Sequence, residues 1–128
     1  MSAAGDLCSR YLASFASGNP DTVAAFVTED FVNEHTAALG SSCQGRDEYR
    51  RRLPGFIASM PGLRYDVQHV IAEGDEVCAA YVLRATVNGR EVAVRGMMHF
   101  SVRSGAIARR TDYWDSTVFL RQAGLETS

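Results

Sequence analysis

An α+β domain is the fold class this chain predicts, and three observations carry that prediction. Apolar residues recur at helical spacing as far as Met60. From Leu63 onward they alternate with polar ones. The alternating half is broken by Glu73-Gly74-Asp75, Asn88-Gly89 and Ser104-Gly105, which read as turns. Helices followed by an antiparallel meander place the helices on one face of a sheet. The chain has 128 residues, enough for one core and too few for two, so residues 1–128 read as a single domain.

The first helix is expected over residues 6–17, where Leu7, Tyr11, Leu12 and Phe15 share a face, and Gly18 ends it. Asn19-Pro20-Asp21 looks like an N-cap followed by proline at the first helical position. The short helix it opens is expected to bury Val23, Phe26 and Val27. Phe31 to His35 reads as a short extended piece. A third helix opens at Gly45-Arg46-Asp47, with Tyr49, Leu53, Phe56, Ile57 and Met60 on its apolar side. Pro54 is expected to kink or split it, and Pro61-Gly62 ends it.

In the sheet half, Leu63, Tyr65, Val67, His69 and Ile71 are expected on one face of the first strand. Val77, Ala79, Tyr81, Leu83 and Ala85 form one face of the next. The third strand turns Val92, Val94, Gly96, Met98, Phe100 and Val102 to one side. The second face of the sheet, with Met97, His99 and Cys78, is semi-polar and suits solvent or a second copy of the chain.

Bulk composition excludes several functions. Net charge is −2, with no aromatic residues interleaved in a basic run, so no nucleic-acid partner is expected. Lysine is absent, which excludes lysine Schiff-base chemistry. Cys8, Cys43 and Cys78 are an odd, widely spaced set, which favours a reducing cytoplasm. The sequence shows no signal peptide and no membrane span. The three histidines, His35, His69 and His99, lack ligand spacing, so no metal is expected. Arg50-Arg51-Arg52 reads as a solvated helix face rather than an anion grip.

The candidate chemistry gathers on the last strand, residues 106–115. Arg110, Asp112 and Trp114 share one side of it. Enclosure by Trp114 raises the pKa of Asp112, and Arg110 lowers it. A carboxylate under such opposed influences suits proton transfer; the alternative is a structural Arg–Asp pair at a sheet edge. Asp115 faces the other way and reads as the N-cap of a terminal helix. Asn33 and His35 leave the short extended piece on one side. His35 is a candidate base, and Tyr11 a candidate donor to a carbonyl oxygen.

The order of elements, the turn Ala72-Glu73-Gly74-Asp75-Glu76-Val77 and the tail from Arg110-Thr111-Asp112-Tyr113-Trp114-Asp115 to Gln122-Ala123-Gly124 resemble the SnoaL-like polyketide cyclases. These belong to the nuclear transport factor 2-like superfamily, with ketosteroid isomerase and limonene-epoxide hydrolase. The resemblance implies a cone in which a curved antiparallel sheet packs around three N-terminal helices and encloses an apolar pocket, in a homodimer. Arg10-Tyr11-Leu12 to Gly18-Asn19 is similar to the first helix of ketosteroid isomerase. Tyr11 falls at its oxyanion-binding tyrosine, His35 at its aspartate base, and Met98 at its protonated aspartic acid. Of the limonene-epoxide hydrolase residues, only the last-strand aspartate is matched, by Asp112. Tyr81-Val82-Leu83 and Asn33-Glu34-His35 stand where its Arg-x-Asp and Tyr-x-Asn would be.

Asp112, or else Asp115, is thus the implied acid/base, with His35 as a second proton carrier and Tyr11 stabilising an oxyanion. Asn33, Phe56, Tyr81, Met98, Phe100, Arg110 and Trp114 are expected to line the pocket. The expected function is cofactor-independent isomerase or cyclase chemistry on a small apolar carbonyl or polycyclic ligand. The alternatives are a non-catalytic binding or dimerisation module, whose pocket in the latter case is filled by its own side chains, and an epoxide hydrolase-like activity.

Overall fold

The structure is a computed structural model, and it describes residues 2–125. Helix α1 spans Ala3–Ser14. Its N-cap Ser2 accepts from Gly5, and a 3-10 turn, Phe15–Ser17, extends it to Gly18. At Gly18 the φ of 69° favours a residue without Cβ. Helix α2, Pro20–Ala24, starts as expected, with Asn19 accepting from Asp21 and Thr22. Strand β1, Val27–His35, and the short β2, Cys43–Gln44, follow, then α3, Arg46–Ser59. The long strands β3, Arg64–Glu73, β4, Glu76–Val87, β5, Arg90–Arg103, and β6, Ala106–Trp114, form the meander. Helix α4, Ser116–Gln122, closes the described chain, capped by Asp115, whose side chain accepts from Thr117. No helix of the described residues is long and apolar enough to cross a membrane.

The six strands run in the order β2-β1-β6-β5-β4-β3, and the sheet is mixed rather than wholly antiparallel. The expected short piece at Phe31 is a nine-residue strand that begins at Val27 and pairs with β6 in parallel, Asn33 beside Arg110 and His35 beside Asp112. A parallel pair joins strands far apart in the chain, so no turn sequence announces it. The register matters for function, because it seats Asn33, His35, Arg110 and Asp112 on the same inner face.

Two further expectations change. Pro54 lies inside α3 without splitting it. Proline leaves the carbonyl one turn earlier without its N–H donor, but Pro54 is exposed, so water can serve that carbonyl. In β3 a bulge between Val67 and His69 shifts the alternation. As a result His69 and Ile71 are exposed, and Val70 takes the inward position. The helices cover part of the sheet's inner face, where Leu7, Tyr11, Leu12 and Phe15 pack against residues such as Tyr65, Val77, Ala79, Met98 and Phe100. Helix α4 lies along β5, and Gln122 exchanges hydrogen bonds with the backbone of Ala93, serving strand edge that β6 leaves unpaired.

Candidate active site

Where the helices leave the inner face uncovered, a cavity of about 520 Å³ opens. Its walls are mainly apolar: Phe15, Leu53, Phe56 and Met60 from the helical side, Leu83 and Val94 from the sheet, Trp114 and Phe119 from the C-terminal end. The loop between β1 and β2 contributes Leu39, Gly40 and Ser41. Gly40 lies so close to His35 that a Cβ there would stand 2.2 Å from the histidine Cβ, so only glycine lets this loop rest on the ring. The cavity is not filled by the chain's own side chains, which removes the dimerisation module with a closed pocket.

A polar network occupies one wall. Tyr81 of β4 donates its hydroxyl to Asp112 Oδ1 at 2.5 Å. Asp112 Oδ2 stands 3.9 Å from Arg110 Nη2 and 3.7 Å from His35 Nδ1, beyond hydrogen-bond range of either. The expected structural Arg–Asp pair is therefore loose. Arg110 gives its better bonds elsewhere, Nε to Asn33 Oδ1 at 3.0 Å and Nη1 to the Tyr11 hydroxyl at 2.8 Å. Trp114 Nε1 donates to His35 Nδ1 at 3.1 Å.

Burial raises the pKa of Asp112, and the opposing pulls of Arg110 and Tyr81 do not cancel it. Burial and the charge of Arg110 push His35 down to about 4, so its ring is neutral at physiological pH. Burial also raises the phenols of Tyr11, Tyr49, Tyr65 and Tyr81, which stay protonated. For Arg110 burial opposes the charge, but the surrounding phenols and Asp112 outweigh it and the side chain stays cationic.

Of the residues singled out from sequence, Asp112, His35, Asn33, Phe56, Tyr81, Arg110 and Trp114 all reach the cavity. Three do not. Tyr11 is fully buried behind the wall. Its ring packs edge-on against Phe15, Phe26 and Phe100, and its hydroxyl bonds to Tyr49 and Arg110. Met98, between Ala79 and Asp112 on neighbouring strands, is fully buried core. Phe100 is closed off by the Tyr11 ring at 5.8 Å. All three point to the inner face as expected, but α1 covers that part of it. The cavity tyrosines are instead Tyr49, Tyr65 and Tyr81.

Asp115 turns away from the cavity to cap α4, which leaves Asp112 as the cavity carboxylate of the last strand. The Arg50–Arg52 run is paired at the surface, Arg50 with Asp21 and the other two with Glu48. Arg52 also reaches the loop, donating to Ser41 Oγ and the Ser42 carbonyl.

A curved six-stranded sheet around helices, open at one end, is the cone of the nuclear transport factor 2-like fold. The profile of the SnoaL-like domain matches residues 8–110, and the chain belongs to that family. Among solved structures, a Catenulispora acidiphila protein with a ketosteroid isomerase-like fold, in complex with trimethylamine, superposes with a TM-score of 0.86 at 20% identity over 94% of each chain. TerC co-crystallised with polyporic acid gives 0.82 at 17% identity, covering 96% of this chain and 99% of its own. A Xanthomonas campestris pv. campestris protein provisionally designated a polyketide cyclase gives 0.77 at 24% identity, over 94% and 96%. At these identities the likeness establishes the fold and not the reaction. No curated protein matches the chain by sequence.

Proposed function

We propose that this SnoaL-like protein performs acid–base isomerisation or cyclisation on a small, largely apolar carbonyl or polycyclic ligand. The observation that carries the reading is the setting of Asp112. It is 3% exposed, stands in the wall of an otherwise largely apolar cavity, and has one close hydrogen bond, from Tyr81. A buried carboxylate with so little compensation is costly unless it serves a purpose, and burial makes it a better base than an exposed one. Asp112 takes a proton from the ligand and returns it at another position. The chemistry asks for no cofactor. Proteins of the same fold in complex with trimethylamine or co-crystallised with polyporic acid are consistent with a small-molecule ligand.

The retreat of Tyr11 behind the wall favours a second reading, a pocket that binds without converting. Thermal-shift screening of wild type and Asp112→Asn against ketones, steroids, polyketide aromatics and epoxides, followed by incubation of each hit, separates the two. Conversion that vanishes in Asp112→Asn supports the enzyme. Equal binding in both proteins with no conversion leaves a binding module.

The same reading takes the protein to be a homodimer joined through the outer face of the sheet. Its free cysteines, Cys8, Cys43 and Cys78, suit the cytoplasm.

A further inference from the structure

Two arginines, Arg52 of α3 and Arg110 of β6, reach the cavity, against a single carboxylate, Asp112. His35 is neutral at physiological pH, with its pKa down at about 4. The lining therefore carries an excess of positive charge with Asp112 ionised, and a larger one when Asp112 is protonated, the form that burial favours. Glu48 lies outside the lining and does not remove the excess, because it is shared between Arg51 and Arg52. A space lined by one sign of charge concentrates ligands of the opposite sign.

The two arginines differ in what they have left to offer. Each nitrogen of Arg110 has a protein partner: Nε meets Asn33 Oδ1 at 3.0 Å, Nη1 the Tyr11 hydroxyl at 2.8 Å and Nη2 the His35 Nε2 at 3.3 Å. Asp112, 3.9 Å away, would also repel a second anion there. A guanidinium has five N–H groups. Arg52 gives Nε–H to Glu48 Oε2 at 2.8 Å, and the two hydrogens of Nη1 to Ser41 Oγ at 2.9 Å and the Ser42 carbonyl at 3.0 Å. Both N–H groups of Nη2 are left without an acceptor among the described residues. So is the hydroxyl hydrogen of Ser41, whose oxygen accepts from Arg52. Ser41 also lines the cavity, and the Arg52 side chain is 43% exposed, which sets the pair at the mouth.

We propose that Arg52 and Ser41 form an anion site at the mouth of the cavity, and that the ligand is an apolar carboxylic acid held there by its carboxylate. Two carboxylate oxygens match two neighbouring donors, Arg52 Nη2–H and Ser41 Oγ–H, and a bond from a guanidinium to a carboxylate is among the strong ones. The ligand body lies against the aromatic and aliphatic walls. The proposal deepens the acid–base reading by naming the ligand class, and it rests on that reading only for conversion, which Asp112 performs at another part of the same molecule. Of the three consecutive arginines only Arg52 lines the cavity; Arg50 is tied to Asp21, and Arg51 to Glu48. Arg52 is thus the residue that selects acids over neutral compounds of the same shape.

The test compares 2-naphthoate with 2-naphthamide by fluorescence titration at neutral pH. The two share one shape, only the first is charged, and neither has an enolisable proton, so binding is read apart from turnover. Wild type should prefer the naphthoate about tenfold or more, the effect of a charge-assisted donor pair. Arg52→Gln should erase that preference and leave the affinity for naphthamide unchanged, which shows that the cavity is intact. Ser41→Ala keeps the arginine and should reduce the preference part of the way, so it decides the matter if Arg52→Gln does not fold. Arg50→Gln, outside the cavity, should keep the full preference. Equal affinity of wild type for the two probes, binding of neither, or a preference that survives in Arg52→Gln would each overturn the proposal. Preference through Arg52 with no turnover of any compound would support the anion site and remove the acid–base function. Asp112-dependent turnover of neutral ketones without any preference for naphthoate would do the reverse.

Discussion

Gly96 and Tyr81 stand opposite each other on β5 and β4, and the Tyr81 phenol occupies the space a side chain at position 96 would need. A Cβ at Gly96 would lie 2.3 Å from the Tyr81 hydroxyl oxygen and 3.0 Å from the Tyr113 carbonyl. Gly96 therefore belongs to the site through Tyr81, because it lets the hydroxyl lie over the sheet and reach Asp112. Gly96→Ala should cost about 1–3 kcal/mol, as overpacking does. It should also reduce Asp112-dependent turnover by pushing the phenol away. The denaturant midpoint measures the first effect; an unchanged midpoint would show that Tyr81 is free to move aside.

Tyr81→Phe isolates the hydrogen bond from the packing. The Tyr81 hydroxyl favours the ionised form of Asp112, so its loss should raise an Asp112 pKa that burial has already raised. A bond to a charged acceptor is worth about 1.5–3 kcal/mol, so the variant should lose that much stability where Asp112 is ionised and less where it is protonated. Carboxyl carbon chemical shifts followed against pH give the first quantity, and unfolding at two pH values gives the second. A fall in the Asp112 pKa on losing Tyr81 would contradict the assignment of donor and acceptor.

His35 should dominate the acid side of the stability profile. Its pKa falls from 6.5 to about 4 because burial and Arg110 disfavour the imidazolium. A group whose folded pKa is depressed contributes stability above its unfolded pKa and loses it as pH falls to the folded value. The loss should run from pH 6.5 down to about 4 and reach about 3 kcal/mol. Asp112 acts in the opposite sense: its pKa is raised, so its contribution is present at low pH and fades as pH rises through the folded pKa. Subtracting the profile of His35→Gln from that of wild type removes the Asp112 part. A flat difference across this window would mean that the ring is hydrated.

What the sequence reveals and what it hides follow from the range of the forces involved. Alternation along one strand is local, so the shared face of Arg110, Asp112 and Trp114 is legible from residue order alone. So are the caps at Asn19 and Asp115, which depend on two or three neighbours. The parallel pairing of β1 with β6 joins residues 75 or more positions apart and leaves no local mark. The bulge in β3 is equally silent, although it decides that His69 and Ile71 face outward. Tyr49 reads as an ordinary core residue of α3, because periodicity says which side faces inward and not whether a cavity lies there. The same blindness to depth places Tyr11, Met98 and Phe100 in the pocket. A tyrosine cluster with Arg110 among apolar residues is a usable signal only once the strand order is known.

The outer face of the sheet bears on assembly. Met97 of β5 and Tyr113 of β6 are direct cross-strand neighbours, 41% and 50% exposed, and Ile71 of β3, on the same face, is 69% exposed. Cys78 and Ala80 of β4 connect them through the register, Ile71 beside Cys78 and Ala80 beside Met97. Large apolar side chains grouped on one face of a sheet mark an interaction surface more often than chance exposure does. A second copy related by a two-fold axis can cover such a face with its own. A stable pair needs about 800 Å² from each partner, and the outer face of long strands can supply it. Wild type should therefore sediment as a dimer. Met97→Glu places a charge in the middle of the contact without entering the cavity, so it should yield a folded monomer. A Met97→Glu protein that remains dimeric, or a wild type that is monomeric at micromolar concentration, would exclude this face as the interface.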